Sequence, residues 1–292
     1  MTSSSPENRV ERARPLLGTT VSIRVSGMDE TDAHVAIGEA FACVERVHAL
    51  MSFHEPASDV SRLHGSPVGA WVTVDPMTIE VLGEAKRLSE ASGGVFDITI
   101  GGQLVHDGLL PRPESDRQPD PAASWRDIEC TTTQARLHRS LWMDLGGIAK
   151  GYAVDLAIQV LREHGVTHAC VNAGGDLRFL GAGPHQVMIE TERGADAGVP
   201  ALEVGEVAVA TSTARSRRHD GAIPQRDARA RSTVNGDHLA TVVAARCVHA
   251  DALTKIVLAL GPHSDDLVRH YDAEAYLQDA AGAWITLGAT TP

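Results

Sequence analysis

Three short stretches of the chain carry residue types whose spacing could do chemistry. In Met143-Asp144-Leu145-Gly146-Gly147-Ile148-Ala149-Lys150-Gly151-Tyr152 a carboxylate closes a strand-like run, two glycines allow a sharp turn, and Lys150 falls in the first turn of a predicted helix. Backbone N–H groups at a helix N-terminus beside an ammonium attract anions, phosphate above all. The GxxxxGK[ST] spacing is absent, so this is not a Walker A loop, and Gly-Gly before a helix is also ordinary turn chemistry. A second glycine pair sits in Val171-Asn172-Ala173-Gly174-Gly175-Asp176. It does not fit GxGxxG, and alone it reads as a tight turn or bulge. Two glycine corners joined by one helix could nevertheless let backbone approach an extended ligand at two points. The third stretch is His249-Ala250-Asp251-Ala252-Leu253-Thr254-Lys255, at a predicted helix start. Asp251 could hold a hard cation such as Mg²⁺ through oxygen, or pair with Lys255 one helical turn on.

These residues need elements to hold them. Apolar and hydroxyl residues from Leu16 to Val25 predict a strand, and Ala36, Ala40, Val44, Val47 and Met51 recur at helical spacing within Thr31–Met51. Asp75-Pro76 is an N-cap followed by proline at the first helical position, with Gly93-Gly94 as the stop. Four prolines between Pro111 and Ser124 predict an exposed loop. A helix follows Gly147 and ends at Gly165. Strands are predicted at Ala169–Asn172, Gln186–Glu190, Val204–Ala210 and Leu239–Ala245, and a helix at Ala250–Leu260. Hairpin-like strand runs interrupted by helices favour α+β over strict βαβ alternation. With no repeat and no linker, residues 1–15 read as a flexible N-terminus and 16–292 as one domain.

Composition narrows the function. The 292 residues are 43% hydrophobic with a formal net charge of −12, which opposes wrapping nucleic acid or coating an anionic membrane. Four cysteines, Cys43, Cys130, Cys170 and Cys247, are too scattered for a zinc ribbon or disulfide framework and read as buried and reduced. The N-terminus shows neither an apolar signal region nor a lipidation cysteine, and no apolar run is long enough to span a bilayer. Cytoplasmic location is the expectation.

In order along most of the chain, these stretches resemble the FAD:protein FMN transferase family, also called ApbE. The resemblance is carried by Leu17-Gly18-Thr19-Thr20, by Met51 to Ser61, by Gly94-Val95-Phe96-Asp97-Ile98-Thr99 and by Asp144 to Tyr152. Val171 to Asp176, Ala210-Thr211-Ser212 and Ala250-Asp251-Ala252-Leu253 complete it. It implies a fold related to the T-fold, with mixed sheets flanked by helices and a ligand groove between subdomains. It implies FAD as substrate, Mg²⁺ as metal, and transfer of FMN to a threonine or serine hydroxyl of a partner protein with release of AMP. The matching positions imply flavin-nucleotide contacts from His54, Phe96, Asp97, Thr99, Asp144, Gly147, Lys150, Gly174, Gly175, Asp176 and Thr211. They imply metal ligation by the carbonyl near Ala149 and by Asp251, and catalytic roles for Asp251 and Lys255.

The chain departs from the family pattern twice. Lys255 stands where the family has a metal-site threonine, and Thr254, one residue early, is rotated by roughly 100° about the helix. No His-x-x-Asp-Pro motif precedes Asp251; that region, Ala214 to Ser232, is arginine-rich instead. Two other readings therefore stand beside the transferase. One is a flavin-nucleotide-binding protein in which Lys255 replaces a metal ligand and neutralises phosphate directly. The other is an interaction protein that keeps the fold without the ligand.

Overall fold

The computed structural model describes residues 9–113, 117–189, 201–214 and 225–289. Residues 9–15, read from sequence as part of a flexible 1–15, belong to a strand, and 1–8 lie outside the described residues. Strand β1 (Arg9–Leu16) pairs antiparallel with β2 (Thr19–Ser26) along its whole length, turning at Leu17 and Gly18, both with positive φ. The strand signal of β1 is masked because only Val10 points inward, while Arg9, Glu11, Arg12 and Arg14 face solvent. In β2, Val21, Ile23 and Val25 alternate into the core.

Helix α1 (Glu30–Met51) is capped by Asp29, whose carboxylate accepts from Thr31 N, and it buries the predicted apolar stripe. The chain continues through α2 (Asp59–Gly65), β3 (Val72–Thr73) and α3 (Pro76–Ala91). Asp75 caps α3, Pro76 opens it, and Gly93 and Gly94 end it in the left-handed region. A 3-10 turn at Ile98–Ile100 precedes α4 (Gly101–His106), followed by β4 (Ile128–Cys130), β5 (Gln134–Leu137) and α5 (Ala149–Glu163). Next come β6 (His168–Ala173), β7 (Asp176–Leu180), β8 (His185–Met188), β9 (Ala201–Val204) and β10 (Ala208–Thr213). The last elements are β11 (Arg226–Asp227), β12 (Ser232–Thr233), β13 (Leu239–Ala244), α6 (Cys247–Leu260), α7 (Asp265–His270), β14 (Glu274–Gln278) and β15 (Trp284–Leu287).

An eight-stranded sheet in the order β1-β2-β6-β7-β10-β13-β14-β15 forms the frame. The fold is α+β as expected, but every pairing among the described strands is antiparallel, so the sheets are not mixed. Helices α1, α5 and α6 pack side by side over β2, β6, β7, β10 and β13. Their apolar faces and one face of the sheet make the main core. Alternation sends Cys170, Phe179 and Val209 to the other face, where they pack with Val187 of β8 and with Leu202 and Val204 of β9. The single strand expected over Val204–Ala210 is two strands, because Gly205 turns the chain between β9 and β10. Glu190, the predicted end of the strand at β8, lies outside the described residues.

Candidate functional site

Helices α5 and α6 bring the chemistry together at one close crossing. A Cβ on Gly151 would lie 2.6 Å from the Cys247 carbonyl carbon and 2.9 Å from Asp251 Cβ, so only glycine permits this approach. Gly151 N donates to Asp251 Oδ2 at 3.0 Å. One turn further along α5, Asp155 accepts from Cys247 N at 2.8 Å and Val248 N at 3.0 Å. Those N–H groups open α6, whose own N-cap, Arg246, makes no side-chain cap bond. The helix starts earlier than expected because this carboxylate from α5 caps it. Asp251 is thereby placed in its second turn, fully buried.

Around Asp251 the structure assembles two carboxylates and two ammoniums. Lys255 Nζ bonds Asp251 Oδ1 and also donates to the Asp251 carbonyl at 2.9 Å. Lys150 Nζ bonds Asp176 and lies 3.7 Å from Asp251 Oδ1. Burial works to lower the Lys150 pKa, but Asp251 and Asp176 outweigh it and hold the lysine charged. Burial works to raise the Asp251 pKa, and the two lysines overcome it, so this carboxyl titrates below its ordinary range. Asp176 goes the other way, raised by burial and by the neighbouring Asp251 charge.

The two lysines line a cavity of about 310 Å³ with Phe96, Asp144, Gly147, Ser212 and Arg226. A larger cavity of about 510 Å³ adjoins it, and Asp97, Ile100, Arg226 and Ala228 line both. Its walls include Thr99, Gln103, Pro119 and Trp125. The proline-rich segment is therefore more than an exposed loop, since Pro119 lies against Gly102 of α4 and closes this wall. Trp125 Nε1 and Gln103 Oε1 are buried without a hydrogen-bond partner, one donor and one acceptor beside the same cavity. Such orphans are uncommon in a folded interior and suit a polar-edged ring as guest.

Several expected site residues do other work. Asp97 lines both cavities, but its oxygens accept from Thr99 N at 2.9 Å and Trp125 N at 3.1 Å, so it shapes the cavity wall. Burial raises its pKa, and also that of Asp144, which accepts from Gly146 N at 3.1 Å. Ile148 N and Ala149 N both donate to the Leu145 carbonyl. The anion-attracting N–H groups expected at the start of α5 are thus largely engaged within the protein, and the attraction rests on the lysines. Gly174 and Gly175 line neither cavity. They form the two-residue turn between β6 and β7, with φ of +65° and +102°, and a Cβ on Gly174 would press on Thr19. Asn172 Oδ1 accepts from Gly175 N, and the turn delivers Asp176 to Lys150. Thr211 is also outside: its hydroxyl pairs with Thr241 at 2.9 Å across β10 and β13, and alternation turns Ser212 into the smaller cavity. His54 is exposed in a turn and lines neither cavity. Of the arginine-rich segment, Arg215, Arg217 and Arg218 lie outside the described residues. Arg226 is buried at the junction of the cavities with its guanidinium on Asp107 at 2.6 Å.

The implied Mg²⁺ meets a donor set that does not suit it. Both Asp251 oxygens are engaged by N–H donors, one of them an ammonium, and a second ammonium stands close by. Thr254 Oγ1 donates its one proton to the Asp251 carbonyl at 2.7 Å and pairs with the Ser212 hydroxyl at 2.8 Å, so it is engaged with these two oxygens. Among the described residues no group of three or more His, Cys, Asp or Glu side chains gathers to hold a metal ion.

Two adjoining cavities, the smaller lined by two ammoniums and joined to the larger at Arg226, are the site this fold builds. The sequence model of the ApbE family matches residues 17–277, and the chain belongs to that family. It is 28% identical over 222 residues to the FAD:protein FMN transferase of Vibrio cholerae, covering 71% of this chain and 66% of that protein. The corresponding Treponema pallidum protein is 26% identical over 185 residues, covering 58% of this chain and 51% of that one. The chain thus spans between about half and two thirds of the length of these curated relatives. Among solved structures, the ApbE protein of Thermotoga maritima superposes with a TM-score of 0.82 at 25% identity, covering 95% of this chain and 96% of that one. The flavin transferase ApbE from Vibrio cholerae shares the fold, with a TM-score of 0.83 at 22% identity over 96% of this chain and 97% of that one.

Proposed function

We propose that this chain binds FAD and transfers its FMN half to a threonine or serine hydroxyl of an acceptor protein. The observation that carries this reading is a cavity lined by Lys150 and Lys255 that adjoins a larger one at Arg226, in a member of the ApbE family. In this reading the diphosphate of FAD lies against the two lysines in the smaller cavity, and the larger cavity beyond Arg226 takes one ring-bearing end. In the reaction the acceptor oxygen forms a new bond to the FMN phosphorus. The anhydride P–O bond breaks, AMP leaves with the electron pair, and the hydroxyl loses its proton. Asp144, a carboxylate lining the smaller cavity whose proton affinity burial raises, is the group we assign to take that proton. Lys150 and Lys255 stabilise negative charge on the phosphoryl oxygens and the departing AMP. Asp176 and Asp251 hold the two ammoniums in place.

The metal-ligand roles implied for Ala149 and Asp251 have no support in this donor set, and no step is assigned to Mg²⁺. One observation favours a second reading, in which FAD is retained without transfer: Lys255 already bonds the carboxylate implied to hold the metal. Expression with and without Lys150→Ala separates the cases. FMN transfer gives flavin fluorescence on other proteins after denaturing electrophoresis, and AMP release from FAD, both lost in the variant. Bound FAD without AMP supports retention, and a chain that takes up no flavin nucleotide refutes both.

A further inference from the structure

The clearest departure of the site from a cation-binding one is Lys255, and its geometry reads as a substitute for the cation. Its side chain is only 15% exposed, although lysine normally keeps its ammonium in water. Two bonds to one residue hold it: the Asp251 carbonyl at 2.9 Å and the Asp251 carboxylate. The spacing of one helical turn makes that grip local and pre-formed. The last methylene, Cε, lies 3.7 Å from where a Cβ on Gly147 would be, so the lysine runs along the glycine corner and lines the smaller cavity beside Lys150. The two ammoniums and two carboxylates cancel one another in total charge. A divalent ion approaching Asp251 Oδ1 would have to displace the Lys255 ammonium bonded to that oxygen, with the Lys150 ammonium 3.7 Å from it.

Resting on the FAD reading above, we infer that Lys255 is a tethered cation in the place of a metal, so that this chain takes up FAD without any divalent ion. Lys255 faces the phosphates as a compact point charge whose position is set by α6, and Lys150, set by α5, provides the second. A group already in place requires no capture from solution, so affinity for the ligand is independent of metal concentration. Thr254 offers no competing route, because its hydroxyl is held by Ser212 and the Asp251 carbonyl.

Calorimetric titration of the intact protein with FAD, in EDTA and in excess MgCl₂, tests this. The unaltered protein is expected to give the same Kd in both, within about twofold. Lys255→Thr is expected to bind roughly ten- to a hundredfold more weakly in EDTA, the scale of one charge-assisted hydrogen bond. Lys255→Arg, which keeps the charge, retains EDTA-resistant binding and decides the matter if the threonine variant fails to fold. A tenfold or greater loss of affinity in EDTA by the unaltered protein, reversed by MgCl₂, overturns the inference and leaves the FAD reading intact. So does a folded Lys255→Thr that binds as tightly as the parent in EDTA. Absence of heat with FAD in every arm overturns the FAD reading itself.

Discussion

The crossing of α5 and α6 makes Gly151→Ala the most informative single change. The new Cβ would sit 2.6 Å from the Cys247 carbonyl carbon and 2.9 Å from Asp251 Cβ. Unstrained carbon contacts are about 3.5–4 Å, so the helices must separate by about 1 Å. The neighbours in the way are backbone and a buried side chain, neither of which can swing aside. Overpacking of this kind costs about 1–3 kcal/mol. The same shift weakens the 3.0 Å bond from Gly151 N to Asp251, a hydrogen bond to a charged group worth about 1.5–3 kcal/mol. Alanine returns about 1 kcal/mol over glycine in helix propensity. The expected net is a loss of about 3 kcal/mol. Urea unfolding followed by circular dichroism measures it, with FAD titration in parallel, since Lys150 moves relative to Asp251. Gly38→Ala in α1, where a Cβ meets nothing within 4 Å, is the control and should be neutral or stabilising. Equal stability and equal FAD affinity for Gly151→Ala and the parent would refute the idea that this contact sets the lysine positions.

Two further outcomes follow from buried groups. Asp155→Ala strips the cap from α6 and leaves Cys247 N, Val248 N and the Arg178 guanidinium without their partner. The expected cost is about 3 kcal/mol or more, read from denaturant midpoints, and Asp155→Asn, which keeps one acceptor, should lose less. His64 is buried with its pKa lowered by burial to about 4, and its Nε2 accepts from Met143 N. Between its unfolded pKa near 6.5 and about 4 the unfolded chain binds the extra proton. Its stability contribution is therefore full above pH 6.5 and falls with acidification, by about 2 kcal/mol at pH 5. Unfolding curves at pH 7 and pH 5 should show this drop, reduced in His64→Gln; an unchanged drop in that variant would assign it elsewhere.

Some elements were readable from sequence because their causes are local. Asp75-Pro76 announces α3, and the three- and four-residue spacing of Ala36, Ala40, Val44 and Val47 announces α1. Strand β1 escaped because a one-sided edge strand with one inward apolar residue looks like a charged tail. The pairing of Asp251 with Lys255 was open to reading, since both lie on one helix. The roles of Gly151 and Asp155 were not, because their partners at Asp251 and Cys247 lie about a hundred residues downstream. Thr211 and Ser212 show a finer limit. Alternation says that one of them faces the site, but the choice depends on register against β13, which no local pattern encodes. Arg226 was hidden in a run of arginines and is distinguished only by its burial against Asp107.

The charged quartet draws on three separate pieces of chain: Lys150 on α5, Asp176 at the β6–β7 turn, and Asp251 with Lys255 on α6. No fragment that lacks α6 contains it, so whatever occupies the cleft recognises only the finished molecule. By mass action a saturating ligand then shifts the folding equilibrium, by about 2.7 kcal/mol at a hundredfold excess over its Kd. On the proposed FAD reading, the supply of that ligand would set how much of this protein resists proteolysis.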